Sequence, residues 1–222
     1  MIVNNPQTNI NQMDKHGVNA FWVASFYGHI EIMRYLLSKG IDTMSRNLNG
    51  SNALHIAVKK GNLKVVRTLL DMKYPLNYTK SNGVSAVGIA AFKGNIKLLD
   101  LLYREGADIN LTSKMGAGPL YLAIKMDKIE CVKYLIDRNA FVHLYDQAQA
   151  EYSPLYQSIK LGNLPALELI CDTGINLDSL RDNHGFSPLN FAVKYATAEI
   201  ANYISLRVKN IDDEDPEGLT AF

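Results

Sequence analysis

The chain has 222 residues, 47% of them hydrophobic, and a net charge of +1. That balance supplies enough apolar surface for a sizeable core and excludes a disordered chain, and near-neutrality removes any overall case for nucleic-acid or membrane binding. No apolar run approaches the roughly eighteen residues of a membrane-spanning helix, and the first residues lack the basic-then-apolar order of a signal peptide. Cys131 and Cys171 stand forty residues apart, with no Cys-x-x-Cys and no histidine cluster. Neither a disulfide framework nor a zinc site is expected, and the compartment implied is reducing, intracellular and cytoplasmic.

A fixed period organises the sequence. Gly17, Gly50, Gly83 and Gly116 are spaced by 33 residues, as are Gly28, Gly61 and Gly94, with Asp127 at the next step. After a two-residue insertion the pattern resumes at Ser153-Pro154-Leu155 and Gly162, and after one further residue at Gly185 and Ser187-Pro188-Leu189. In chain order, 1–13 reads as the end of a preceding copy, because Asn9-Ile10-Asn11 occupies the place of Asp108-Ile109-Asn110. Six copies follow, at about 14–46, 47–79, 80–112, 113–147, 148–181 and 182–214, and 215–222 opens another. On this reading 1–222 is a single repeat domain cut from a longer array.

Within each copy the elements come in a set order. Asn19, Asn52, Ser85, Ser153 and Ser187 are N-cap residues for a first helix, with Gly118 a weaker one, and Ala or Pro follows each of these polar caps. That helix runs about eight residues, as at 53–60, and ends at Gly28, Gly61, Gly94 or Gly162, where a left-handed residue is wanted. Asp127 and Ala196 break the rule, and Ala there predicts a local adjustment. A second helix carries Leu63, Val66 and Leu70 in one copy and Ile96, Leu99 and Leu102 in the next, and ends before Gly40, Gly106 or Gly174. Helices this short bury their apolar stripes only when copies stack.

The residues Gly50–Ala57 (GSNALHIA), Ser153-Pro154-Leu155, Ser187-Pro188-Leu189, Gly28-His29 and Gly106–Asn110 (GADIN) resemble the ankyrin repeat family in register. The resemblance covers essentially the whole chain. It implies an all-α fold, an ankyrin-repeat solenoid of stacked helix-turn-helix units joined by β-hairpin-like loops. Departures are visible: Ala stands for the family's Pro in the first three copies. The family's His survives only as His55, with Trp22, Gly88, Tyr121, Tyr156 and Asn190 elsewhere. The hydrogen bonding built on that His is expected only in the second copy.

No catalytic signature is present, so no enzyme, cofactor or metal is expected. Gly83–Gly88 has the wrong spacing for a dinucleotide loop, and Gly116-Ala117-Gly118 sits at the hairpin-and-cap position of the repeat. His16 and His184 fall at hairpin positions of distant copies, and the two cysteines read as small core residues.

Two residues before the end of each first helix are not needed for stacking, and the family resemblance implies that they face a concave groove. They are Phe26-Tyr27, Lys59-Lys60, Phe92-Lys93, Lys125-Met126, Lys160-Leu161 and Lys194-Tyr195. This stripe holds six lysines and no acid, while Glu31, Asp71, Asp100, Glu130, Asp137, Glu168 and Asp172 concentrate in second helices and the turns after them. The hairpin tips are the family's other contact zone, here Lys15, His16, Val18, Leu48, Asn49, Ser51, Ser81, Asn82, Lys114, Met115, Asn183 and His184. The insertion at 145–152 adds Tyr145 and Tyr152, of a type favoured at interfaces. The acidic run 212–217 reads as a solvated turn.

The expected function is a non-catalytic scaffold that binds another protein or an extended peptide with acidic and apolar residues. The alternative is a regulatory or targeting region of a larger enzyme, channel or effector. Nucleic-acid binding through the lysines would show as a steep loss of affinity with salt and is not expected, nor is direct membrane insertion.

Overall fold

The computed structural model describes residues 9–143 and 152–221. Among them the regular structure is helical, and twelve α-helices follow one another as six pairs: α1 (Ala20–Tyr27) and α2 (Ile30–Ser38), α3 (Ala53–Lys60) and α4 (Leu63–Asp71), α5 (Ala86–Lys93) and α6 (Ile96–Arg104), α7 (Pro119–Lys125) and α8 (Ile129–Ile136), α9 (Pro154–Lys160) and α10 (Leu164–Cys171), α11 (Pro188–Tyr195) and α12 (Ala198–Ser205). An isolated antiparallel bridge joins Thr79 to Ser85. The chain falls into two compact units, one of Met1–Ala90 with Lys97–Ser113, the other of Ala91–Ile96 with Lys114–Phe222.

The helix starts follow from side-chain capping. Asn19 accepts from the Trp22 N–H, Ser85 from Gly88 and Ser187 from Asn190. Asn52 accepts from His55 N–H at 3.1 Å while the His55 ring accepts from Asn52 N–H at 3.3 Å, a reciprocal cap. Ser153 departs from its expected role. It makes no capping bond, because its hydroxyl is engaged with His143 Nδ1 at 3.1 Å. The second helices have caps of their own in Asn62, Asn163 and Thr197.

The first helices end in left-handed residues at Gly28 (φ 81°), Gly61 (72°), Gly94 (71°) and Gly162 (64°), and Asp127 adopts the same region at φ 51°. Ala196 does not follow them. It is extended at φ −115°, and the chain restarts immediately at the Thr197 cap, which is the local adjustment its missing glycine requires. At second-helix ends Lys73 (φ 54°) and Asn139 (φ 59°) take the place that Gly40, Gly106 and Gly174 hold elsewhere.

In the first unit α1 packs on α2 and α3, and α3 on α4. Its core is made of Phe21, Met33, Leu54, Leu69, Leu98, Leu99 and Leu102, all essentially removed from water. In the second unit α7 packs on α8 and α9, α9 on α10 and α11, and α11 on α12, around Ile124, Leu135, Leu155, Ile159 and Leu167. Each such side chain contributes roughly 1.5–3 kcal/mol by leaving water. The buried stripe of α4 is Val65, Val66 and Leu69, with Leu63 and Leu70 only half-buried on its flank, so the apolar face lies further round the helix than Leu63, Val66 and Leu70 suggest. In α6, Ile96 likewise lies at the surface while Leu98, Leu99 and Leu102 are buried.

Candidate partner-binding surface

Five of the hairpin loops are built alike. In each, an Asp, Asn or Lys N–H donates to the carbonyl four residues on, and a glycine with positive φ donates back to the first residue's carbonyl: Asp14 with Val18 and Gly17, Asn47 with Ser51 and Gly50, Lys80 with Val84 and Gly83, Asp182 with Phe186 and Gly185, Asp215 with Leu219 and Gly218. Where the first residue is acidic or an amide, its side chain also accepts from the two N–H groups inside the turn, as Asp14 does from His16 and Val18. In the first unit the tips are tied to one another, Leu48 N–H to His16 carbonyl at 3.1 Å and Ser81 N–H to Asn49 carbonyl at 3.0 Å.

The tip residues divide. Lys15, His16, Leu48, Asn49, Ser81, Asn82, Lys114, Met115, Asn183 and His184 are exposed. Val18 and Ser51 are buried, because both stand on the inner side of the turn, where the Val18 and Ser51 carbonyls close the hairpins. Tyr145 lies outside the described residues. Tyr152 is half-buried, with its ring edge-on to Tyr121 and its hydroxyl 3.6 Å from the sulfur of Met115.

The positions before the first-helix ends are at the surface. Tyr27, Lys59, Lys60, Phe92, Lys93, Lys125, Lys160, Leu161, Lys194 and Tyr195 are exposed, and Phe26 and Met126 are half-buried. In the first unit Phe26 stacks with Trp22, meets Tyr27 edge-on, and carries the Lys60 ammonium 4.0 Å from its ring centroid. These aromatics, with Val23, Leu48 and Asn49, line a hollow of about 530 Å³ between the first two hairpins and α1. In the second unit Tyr156, Phe191, Tyr195, Lys160 and His184 line another of about 390 Å³. Trp22 and Val23 were not among the expected contact residues, although a tryptophan at the family's His position is a visible signal.

Residues at that His position reach forward to the next hairpin. The Trp22 indole donates to Ser51 carbonyl at 2.9 Å, the Tyr156 hydroxyl to Phe186 carbonyl at 2.9 Å, and the Asn190 amide to Asp213 carbonyl at 2.9 Å. His55 is buried, and desolvation holds its imidazole down at about 4. Burial also pushes the thiols of buried Cys131 and half-buried Cys171 up, away from the thiolate form.

The acidic run is not merely solvated. Asp213 pairs with Arg181 at 2.8 Å and Glu217 with Lys194 at 3.0 Å, so one lysine of the basic stripe has an acidic neighbour. The acids assigned to second helices and their turns are exposed except half-buried Asp100, which pairs with Arg104. Among the described residues no helix is long and apolar enough to cross a membrane.

The family model for ankyrin repeats (3 copies) matches residues 1–82 and 72–146. A relative in Fowlpox virus (strain NVSL), the ankyrin repeat protein FPV223, is 28% identical over 89 residues, covering 40% of this chain and 60% of that protein's length. The crystal structure of the human ASB11 ankyrin repeat domain superposes with a TM-score of 0.72 at 20% identity, over 92% of this chain and 90% of that one. The chain belongs to the ankyrin repeat family, and its fold is the helix-turn-helix solenoid of that family. Ankyrin repeats are in general protein–protein interaction modules, and domains of this family are typically not enzymes.

Proposed function

We propose that the protein is a non-catalytic scaffold, a single array over 1–222, that holds a partner polypeptide against its first-helix ends and hairpin tips inside the cell. The observation that carries this reading is the set Tyr27, Lys59, Lys60, Phe92, Lys93, Lys125, Lys160, Lys194 and Tyr195: cations and aromatics exposed at the same two positions of successive first helices. Exposed positions repeatedly filled by Lys or an aromatic support a partner with acidic and apolar groups. Phe26 and Met126 fill the same positions half-buried, and His16, Leu48, Asn49, Ser81, Asn82, Lys114 and Met115 extend the contact to the tips.

The test replaces Lys59, Lys60 and Lys93 together by Glu. Folding should hardly change, because exposed charges contribute little to stability. Partners cross-linked to and recovered with the wild-type chain from its native source should be lost from the variant, and undiminished recovery would remove the groove assignment.

A further inference from the structure

The second unit contains an internal example of the ligand chemistry that a lysine on an aromatic ring accepts. The Lys194 ammonium lies 4.4 Å from the Phe186 ring centroid and donates to the Glu217 carboxylate at 3.0 Å. Neither partner is buried, with 40% and 63% of the side chains exposed, so the pair forms without being forced together by the core. The first unit has the same cation-on-ring arrangement, Lys60 at 4.0 Å over Phe26. Among the described residues, no carboxylate pairs with Lys60.

Phe26 is also a wall of the 530 Å³ hollow, whose other apolar walls are Trp22, Val23, Tyr27 and Leu48. Tyr27 and Leu48 are 66% and 75% exposed, a large apolar area open to solvent at one spot. The size is within the range that encloses a bulky side chain and its flanking backbone. Asp14 also lines the hollow, but its carboxylate is turned into its own hairpin, accepting from the N–H groups of His16 at 2.8 Å and Val18 at 3.1 Å. Those donors hold the Asp14 carboxyl below its usual range and offset its charge, and the cation beside the Phe26 wall is Lys60.

We propose that this hollow anchors a partner segment in which an aromatic or large aliphatic side chain stands next to an Asp or Glu. The apolar side chain fills the space between Trp22, Tyr27 and Leu48, and the adjacent carboxylate pairs with Lys60 as Glu217 pairs with Lys194. Filling the hollow excludes water from the Lys60–Phe26 contact and strengthens it. The inference rests on the partner-binding reading above and narrows it to one site and one ligand class.

The test pans a randomised peptide library displayed on phage against the full chain and against its Lys60→Glu and Tyr27→Ala variants. Selected peptides are then titrated by the emission of Trp22, the single tryptophan of the chain. Thermal midpoints confirm that both variants, altered at exposed side chains, remain folded. The expected result is enrichment of a bulky apolar residue beside an acid, a saturable change in Trp22 emission, and a rise of about tenfold or more in Kd in each variant. Peptides that bind the variants as tightly as the wild type, or leave Trp22 emission unchanged, overturn this site and leave the scaffold reading standing. Failure to enrich any peptide overturns both. Self-association abolished by Lys60→Glu would make the occupant the acidic segment 212–217 of a second copy and overturn the assignment to a separate partner.

Discussion

The indole N–H of Trp22 donates to the carbonyl of Ser51 at 2.9 Å, joining the first helix of one repeat to the hairpin of the next. Tyr156 and Asn190 donate forward in the same way from the same position in later repeats, with a phenol and an amide in place of an indole. Trp22→Phe keeps an aromatic ring in place and removes one of two donors, leaving the Ser51 carbonyl with the Asn47 N–H. It should lower stability by about 1–2 kcal/mol. Urea unfolding followed by circular dichroism reads this as a lower midpoint at unchanged slope. An unchanged midpoint would mean that water replaces the indole at no cost.

His55 sets a pH dependence. Its folded imidazole is held at about 4 against an ordinary 6.5. The unfolded chain therefore binds the proton first as pH falls, and stability drops between about 6.5 and about 4 and levels below that. At 1.36 kcal/mol per unit the loss from this residue is on the order of 3 kcal/mol. Stability curves at a series of pH values for the wild type and His55→Asn should differ in slope across this window. Parallel curves would show that another group governs acid sensitivity.

Lys73 holds φ 54° at a second-helix end, where Gly40, Gly106 and Gly174 hold 77°, 90° and 79°. Lys73→Gly removes the left-handed penalty of a side chain and should raise stability by about 1 kcal/mol. Ala196→Gly should give no such gain, because Ala196 is extended and Gly only adds freedom to the unfolded chain. Thermal midpoints of the two variants moving in the same upward direction would contradict this distinction.

Gly50 and Gly106 test crowding apart from backbone strain. Both have positive φ, but a Cβ on Gly50 would stand 2.5 Å from Ser81 N, whereas one on Gly106 would meet nothing within 4 Å. Gly106→Ala should cost about 1–2 kcal/mol from the backbone alone. Gly50→Ala should cost more than that, since backbone must move as well. Equal losses in a denaturation experiment would argue that the hairpins separate freely.

Much of the fold was legible because a repeat displays its punctuation many times over. Glycines at fixed spacing mark the left-handed helix ends, and Asn or Ser marks the starts of most first helices. What escaped depends on neighbours across space. Ser153 looks like a cap, but its hydroxyl goes to His143, ten residues earlier in the chain. Val18 and Ser51 sit in a polar loop yet face inward, because closing the hairpin needs their backbone there. The caps Asn62, Asn163 and Thr197 lie in connections of two or three residues, where glycine spacing carries no signal for them. The hollow around Trp22 combines α1 with residues of the next hairpin, and periodicity within one copy carries no information about such a meeting. Glu217 reaching Lys194 is of the same kind, a contact 23 residues apart between exposed groups.

The tie between successive hairpins in the first unit runs through main-chain atoms, His16 to Leu48 and Asn49 to Ser81. No side chain at a tip takes part in those two bonds. His16, Leu48, Asn49 and Ser81 can therefore be exchanged for other residues, proline excepted at 48 and 81 where the N–H donates, while the repeats keep their register. The scaffold and the message it displays are mechanically separate. A lineage, or an engineer, can rewrite what these tips present to solvent without renegotiating how the repeats stack.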